Sequence, residues 1–379
     1  MGWTTMLNER TTPPGIQPGN IRKKRIMSLD KHRQAIDSID AKLVALLNER
    51  IDHVQAIGQI KHRDGGSIYA PHREKAVLDR VCALNEGSLP SESLRAVYRE
   101  IMSAAIALEK PTTIAFFGPE ATYTHQPAIR AFGASLGYQA LKTIGDVFDE
   151  VSKERADYGV VPVENSTEGV VTHTLDMFVD SPLKIVAQIV MRIQHCLLGT
   201  GERSEIKKLY THPQPLGQCR IWLQTQIPHV EVIETSSTTR AAELAAKEPN
   251  AAAIAGALAA EHYGLNILES DIQDNAANAT RFLVLGKQCS PATGEDRSSI
   301  MVSIDHSVGA LHRAIAPFQS LELNMSKIET RPSKRKAWEY FFFIDFDGHM
   351  DDSKVKEAVA LLERECNSVK ILGSYPKSE

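Results

Sequence analysis

The chain has 379 residues, 42% of them hydrophobic and 24% charged, which excludes a single ordinary core and fits two or three soluble domains. A formal charge of −4, with no basic block beyond Arg22–Arg25, argues against nucleic acid as a partner. Cys82, Cys196, Cys219, Cys289 and Cys366 are scattered, with no CxxC and no zinc spacing, so reduced thiols, a cytoplasmic location and no metal are expected.

Residues 1–26 hold Thr11-Thr12-Pro13-Pro14-Gly15 and Pro18-Gly19 and read as a disordered leader, with Met27 as an alternative start. They lack an apolar secretory core, and no apolar run approaches the roughly 20 residues that span a membrane. From Leu29 to about Lys61, Ile36, Ile39, Leu43, Leu46, Leu47, Ile51, Val54 and Ile57 recur at three- and four-residue steps. One core rarely needs so long a helix, so packing against a second copy of the chain is expected. Further helices are expected over about 71–84 and 91–109, stopped by Pro111, which makes residues 27–110 an all-α domain.

This helical segment carries spaced cations. Arg50 and Lys61 are three helical turns apart and share a face, about 16 Å from each other. Arg33 is about 100° off that face and some 25 Å away, so it could serve only a ligand held by an antiparallel partner. Taken singly these are ordinary solvated charges. Their order, with Asp40, Leu46-Leu47-Asn48-Glu49-Arg50, Arg73-Glu74 and Tyr98-Arg99-Glu100-Ile101-Met102-Ser103, resembles the all-helical chorismate mutases. The resemblance implies that Arg50, and Arg33 from a partner subunit, bind the two carboxylates. It implies that Lys61 and a last-helix side chain donate to the ether oxygen, with Arg73 in the ligand-adjacent segment. The last-helix position, often Gln in the family, is Glu109 here, and that role requires the protonated acid. Ala70 stands where some members have an acidic residue. The pericyclic rearrangement needs a ligand held in a chair-like shape and positive charge near the oxygen, with no nucleophile, base or metal.

After Pro111, strand-like runs alternate with helical stretches. The strands are 113–117, 158–163, 183–190, 208–211, 230–234, 251–255 and 282–285; the helices are 126–136, 144–154, 215–225 and 239–246. Gly118-Pro119-Glu120-Ala121-Thr122-Tyr123-Thr124-His125 lies between a strand and a helix, a natural anion site. Glu164-Asn165-Ser166 ends an apolar strand, and Asn278-Ala279-Thr280-Arg281-Phe282 leads into another. Each alone fits a cap or a turn.

Together, and with His195-Cys196-Leu197-Leu198, His212-Pro213-Gln214 and Gln218-Cys219, they resemble prephenate dehydratase, with Ala121 in place of the motif's second glycine. This implies an α/β domain over 112–290, two lobes like a periplasmic binding protein, crossed near Val190 and Asp271. Thr280 would assist departure of the hydroxyl, and Arg281 would bind a carboxylate. Glu164, Asn165, Ser166 and Gln218 would line the cleft. His195 reads equally as a structural histidine and as a ligand contact. No GxGxxG is present, so neither a nicotinamide nor any other cofactor is expected.

A polar linker, Ser290–Asp296, precedes an α+β series expected to be ferredoxin-like over 297–379. Gly309-Ala310-Leu311 and Glu329-Thr330-Arg331-Pro332 resemble the effector motifs of ACT domains on phenylalanine-inhibited dehydratases, with Thr330 replacing serine. The resemblance implies an L-phenylalanine site formed between two such domains. The chain as a whole is therefore expected to be a multidomain homo-oligomer, a dimer or tetramer, acting on chorismate and prephenate. A two-lobed amino-acid sensor, a dehydratase with an inactive helical domain, and arogenate as preferred substrate are the competing readings.

Overall fold

The structure, a computed structural model, describes residues 29–64, 69–333 and 339–377, without the side chains of 61–64. The expected leader and Met27 lie outside the described residues. Two compact units part between His53 and Val54, inside the first helix, α1 (Leu29–Asp64). In the first unit Ile36, Ile39, Leu43 and Leu46 are 56, 54, 51 and 60% exposed, an apolar stripe on one helix face. No helix among the described residues is long and apolar enough to cross a membrane.

In the second unit, α2 (Pro71–Ala83) starts on a proline at its first turn, and α3 (Ser91–Glu109) packs on it through Val77, Val81, Met102 and Tyr98. These two helices are joined to the α/β region by packing and hydrogen bonds. Tyr69 inserts against Phe132 and Tyr158, with ring centroids 4.5 and 5.1 Å away. Ser103 Oγ accepts from the Ser135 N–H, and Glu100 accepts from that of Ala134.

The first lobe contains β1 (Thr113–Phe117), α4 (His125–Phe132), β2 (Gly137–Leu141), α5 (Ile144–Ser152), β3 (Tyr158–Asn165), β4 (Gly169–Val170), α6 (Thr172–Phe178) and β5 (Lys184–Arg192). The chain then crosses to the second lobe. That lobe holds β6 (Cys196–Gly199), β7 (Lys208–Thr211), α7 (Pro213–Gln218), α8 (Arg220–Gln226), β8 (Glu231–Glu234), α9 (Thr238–Lys247), β9 (Ala251–Ala255), α10 (Ala257–Tyr263) and β10 (Asn266–Glu269). It returns with β11 (Ala279–Gly286). The first sheet runs β2-β1-β3-β11-β5, with β4 on β3, and the second β10-β6-β9-β7-β8. The returning strand β11 lies antiparallel between β3 and β5, which places its N-terminal residues at the crossover.

One helix expected across 215–225 is two. The break falls at Cys219, and Asp274, distant in sequence, accepts from the N–H groups of Ile221 (2.9 Å) and Trp222 (3.1 Å) and so caps α8.

The C-terminal module is β12 (Asp296–Ser303), α11 (Ala310–Ser320), β13 (Met325–Pro332), β14 (Tyr340–Asp347), α12 (Ser353–Glu365) and β15 (Ser368–Pro376), an antiparallel sheet ordered β13-β14-β12-β15. This is ferredoxin-like topology. Met301, Phe341, Phe343 and Leu372 share one buried cluster with Phe148, Phe178 and Leu283 of the first lobe. Lys370 Nζ donates to the carbonyls of Phe178 (2.8 Å), Val179 (3.1 Å) and Ser181 (2.8 Å), capping α6. The polar linker expected over Ser290–Asp296 is a pinned turn. Ser290 and Asp296 are buried, Ser290 Oγ donates to the Val186 carbonyl, and Asp296 accepts from Thr293 and Gly294.

Candidate active sites

Thr280, the second residue of β11, lies directly opposite Asn165, the last residue of β3. Both are 8% exposed. Asn165 Oδ1 accepts from the backbone N–H groups of Thr167 and Glu168, each at 2.9 Å. Backbone N–H groups only donate, so the amide orientation is determined and Nδ2 faces the other way. Nδ2 donates to Thr280 Oγ1 and to Asn278 Oδ1, both at 2.8 Å. Thr280 therefore accepts from Asn165 and keeps its own hydroxyl proton free to give to a ligand.

The polar cluster continues across the cleft. Asn278 Nδ2 donates to Gln218 Oε1 (3.1 Å), and Gln218 Nε2 donates to Glu168 (3.2 Å). His195, 1% exposed, meets Gln218 Oε1 at 2.7 Å through Nε2. The sequence motifs alone assign no role to Asn278, Glu168 or Tyr123. Strand parity could have found Asn278, because it stands two residues before Thr280 and points to the same face. Ser166 is exposed, and its Oγ accepts from the Ala279 N–H (3.0 Å).

The same parity corrects the expectation for Arg281 and Glu164. These residues pair with each other one step along from Thr280 and Asn165, so they point to the opposite face of the sheet. There Arg281 meets Asp345 of β14 at 2.7 Å and Glu164 at 3.3 Å, and Lys327 of β13 meets Glu164 at 2.8 Å. Burial is the largest single influence and works against the guanidinium charge, but Asp345, Tyr375 and Glu164 together outweigh it and hold the Arg281 pKa above its ordinary value. These side chains tie β11 to the C-terminal module, on the face of the sheet away from Thr280.

In the loop before α4, Ala121 is buried and has φ +60°, a left-handed conformation natural to the glycine of the motif. Its N–H donates to His125 Nδ1 (3.0 Å), and the His125 ring stacks on Phe116. Burial lowers the His125 pKa.

Among the expected mutase residues, Arg33 is exposed beside Asp30 (3.8 Å) and Arg73 is exposed on α2. Arg50 Nη1 is buried with no hydrogen-bond partner among the described residues. The Lys61 side chain lies outside the described residues. Glu109 packs on Gly58 of α1, where an added Cβ would come within 2.7 Å of Glu109 Cγ. Glu109 Oε1 is buried and has no hydrogen-bond partner among the described residues.

Of the expected effector residues, Gly309 adopts φ +77° at the start of α11, Ala310 is buried and Leu311 is exposed. Ser303 and Arg331 both pair with Phe341, so the turn after β12 and the end of β13 lie at one end of the sheet. Glu329 stands between Lys327 and Arg331 on the half-buried face of β13. Arg331 is engaged by both oxygens of Asp176 on α6, at 2.8 and 3.0 Å.

A two-lobed α/β domain with a hydroxyl and amide cluster at its crossover, joined to helices bearing spaced arginines and to a ferredoxin-like module, defines a multidomain enzyme. Residues 114–290 match the family model for prephenate dehydratase, and residues 32–110 match that for chorismate mutase type II. The chain is 45% identical over 355 residues to the bifunctional chorismate mutase/prephenate dehydratase of Aquifex aeolicus, covering 92% of this chain and 98% of that protein. It is 44% identical to the Neisseria gonorrhoeae enzyme of the same description, covering 91% and 96%. A prephenate dehydratase from Arthrobacter aurescens, solved in complex with L-Phe, superposes with a TM-score of 0.65 at 34% identity, over 70% of this chain and 90% of that one. The chain belongs to the bifunctional chorismate mutase/prephenate dehydratase family. It isomerises chorismate to prephenate, then dehydrates and decarboxylates prephenate to phenylpyruvate.

Proposed function

We propose that Thr280 is the donor to the leaving hydroxyl of prephenate. The observation that carries this is the Asn165 Nδ2–Thr280 Oγ1 bond, which leaves the threonine proton unspent. In the reaction the bond to the ring carboxylate breaks, its electron pair enters the ring, and the ring C–O bond breaks as a proton joins the departing oxygen to give water. The products are carbon dioxide, water and an aromatic ring, so the driving force lies in the substrate. The protein needs to hold the dianion and stabilise charge on the departing oxygen without holding the departing carboxylate too tightly. A threonine is a weak acid, so Thr280 hydrogen-bonds or relays rather than surrendering a proton outright. Asn165, Gln218 and Ser166 line the same cleft. In the full chain, Thr280→Ala should lower dehydratase turnover by about 10²-fold or more, with mutase turnover unchanged. Near-normal phenylpyruvate formation by that variant would remove Thr280 from the mechanism.

For the mutase, the reading has Arg50 and Lys61 of one subunit and Arg33 of the partner subunit holding chorismate, with Arg73 adjacent and Glu109 at the ether oxygen. The exposed apolar stripe of α1 supports a homodimer in which a second copy covers that face. The C-terminal module is read as an ACT domain that binds L-phenylalanine and inhibits the dehydratase, with Gly309, Ala310, Leu311, Glu329 and Arg331 at the effector site. The L-Phe complex of the Arthrobacter aurescens relative supports it, as does the common sheet end of the Gly309 turn and Arg331. Inhibition requires that phenylalanine bind one conformational state better than another.

A further inference from the structure

The hydrogen bonds around Gln218 run in one direction, and that direction selects a histidine tautomer. Asn165 Oδ1 is held by two backbone N–H groups, so Asn165 Nδ2 faces Asn278, which must present its oxygen there. Asn278 Nδ2 then faces Gln218, and Gln218 must present Oε1. His195 Nε2 is 2.7 Å from that same Oε1, so Nε2 carries the ring proton. Burial lowers the His195 pKa, so the ring is neutral and Nδ1 is bare. The Tyr123 hydroxyl lies 2.5 Å from Nδ1 and donates to it; the Gln194 carbonyl, at 3.2 Å, is the more distant acceptor of the same proton. Burial also pushes the Tyr123 hydroxyl up, which keeps that proton in place.

The backbone fixes the ring as firmly as the side chains do. The His195 N–H donates to Gln273 Oε1 (2.9 Å), and its carbonyl accepts from the Ile272 N–H (3.0 Å). His195 is thus anchored where both strands of chain pass between the lobes. The opposite tautomer would set a bare Nε2 against Gln218 Oε1. Rotating the Gln218 amide to satisfy it would place its NH2 against the NH2 of Asn278 and its oxygen against Glu168, breaking both bonds across the cleft.

We propose that Tyr123 and His195 are positioning residues of the dehydratase. The Tyr123 hydroxyl fixes His195 as the Nε2–H tautomer, and His195 fixes the Gln218 amide so that its NH2 group faces Glu168 and the substrate. This rests on placing the dehydratase site at Thr280 and Gln218.

The test uses Tyr123→Phe, His195→Gln and His195→Leu in the full chain, each assayed with prephenate and, in the same preparation, with chorismate. Tyr123→Phe should lower dehydratase kcat/KM about tenfold, the scale of one lost hydrogen bond, with chorismate turnover unchanged. His195→Gln, whose NH2 can stand in for Nε2–H, should stay within about threefold of wild type, while His195→Leu should lose about tenfold or more. If His195→Gln is as poor as His195→Leu, the ring matters only as packing and the proposal fails. If His195→Leu loses chorismate turnover as well, it has misfolded, and Tyr123→Phe decides: unchanged kinetics on prephenate would overturn the proposal. Nitrogen NMR of the His195 ring should show a protonated Nε2 and a bare Nδ1, and the reverse assignment would also overturn it. A dead Thr280→Ala beside a normal Tyr123→Phe removes only the positioning role, whereas an active Thr280→Ala removes the site itself.

Discussion

Arg281 Nη1 lies 2.7 Å from Asp345 Oδ2, so a carboxylate of the C-terminal module neutralises a guanidinium on the strand that carries Thr280. The two side chains are 11 and 10% exposed, so removing one partner leaves a buried charge. Asp345→Asn should cost about 3 kcal/mol of stability in urea denaturation. The double variant Arg281→Met, Asp345→Leu should recover most of that loss, because paired apolar residues leave no orphan charge. A loss within about 0.5 kcal/mol for Asp345→Asn, the range of ordinary surface substitutions, would show that the pair does not hold the two modules together.

Asn165 directs Thr280 by donating to it, and an aspartate at the same place could only accept. Asn165→Asp should draw the Thr280 hydroxyl proton toward its own carboxylate and set that carboxylate against Asn278 Oδ1. Dehydratase kcat should fall about 10²-fold, comparable to Thr280→Ala, with mutase turnover intact. An Asn165→Asp enzyme that keeps its kcat on prephenate would mean that Thr280 is not oriented this way.

Ala121 sits at φ +60° with a side chain that disfavours that conformation. Ala121→Gly should therefore raise stability, by up to about 1 kcal/mol once the greater freedom of glycine in the unfolded chain is set against the relief. Thermal denaturation in which the glycine variant melts lower would show that no strain is stored there.

Gly58 leaves room for Glu109 on the last mutase helix. Gly58→Ala should displace that carboxyl group and lower mutase kcat/KM by about tenfold or more, since small misplacements at a reacting centre are costly. Glu109→Gln should preserve mutase activity, because an amide can donate where a carboxylate cannot. Dehydratase kinetics, read in the same samples, should not change in either variant. Full mutase activity in Gly58→Ala would place Glu109 away from the ligand.

Much of the architecture was legible because apolar runs and turn residues mark it. Ala251–Ala255 is buried at every position, and Ile144–Ser152 opens on a Thr143/Asp146 capping box. What escaped was set from a distance. Gly137–Leu141 is a half-exposed edge strand with little apolar pattern, and it forms because β1 offers it a parallel partner. The break at Cys219 depends on Asp274, fifty-five residues away in the chain. In the site, the motif placed Thr280 and Arg281 side by side, as sequence must. Only the strand pairing separates them onto two faces, one toward the Asn165 amide cluster and one toward the C-terminal module.

Gly373 of β15 marks how close that module comes, since an added Cβ there would strike the backbone of Ile185 on β5. Its neighbours Leu372 and Tyr375 are 2 and 0% exposed, within the cluster that also holds Phe148 and Phe178. The C-terminal module is therefore part of the wall of the enzyme rather than a detachable attachment to it. A dehydratase lobe cut from this chain would turn an apolar face to water. Its solubility, before its chemistry, would decide what an assay of that fragment reports, so the module's role in this chain is best dissected by single side chains rather than by scissors.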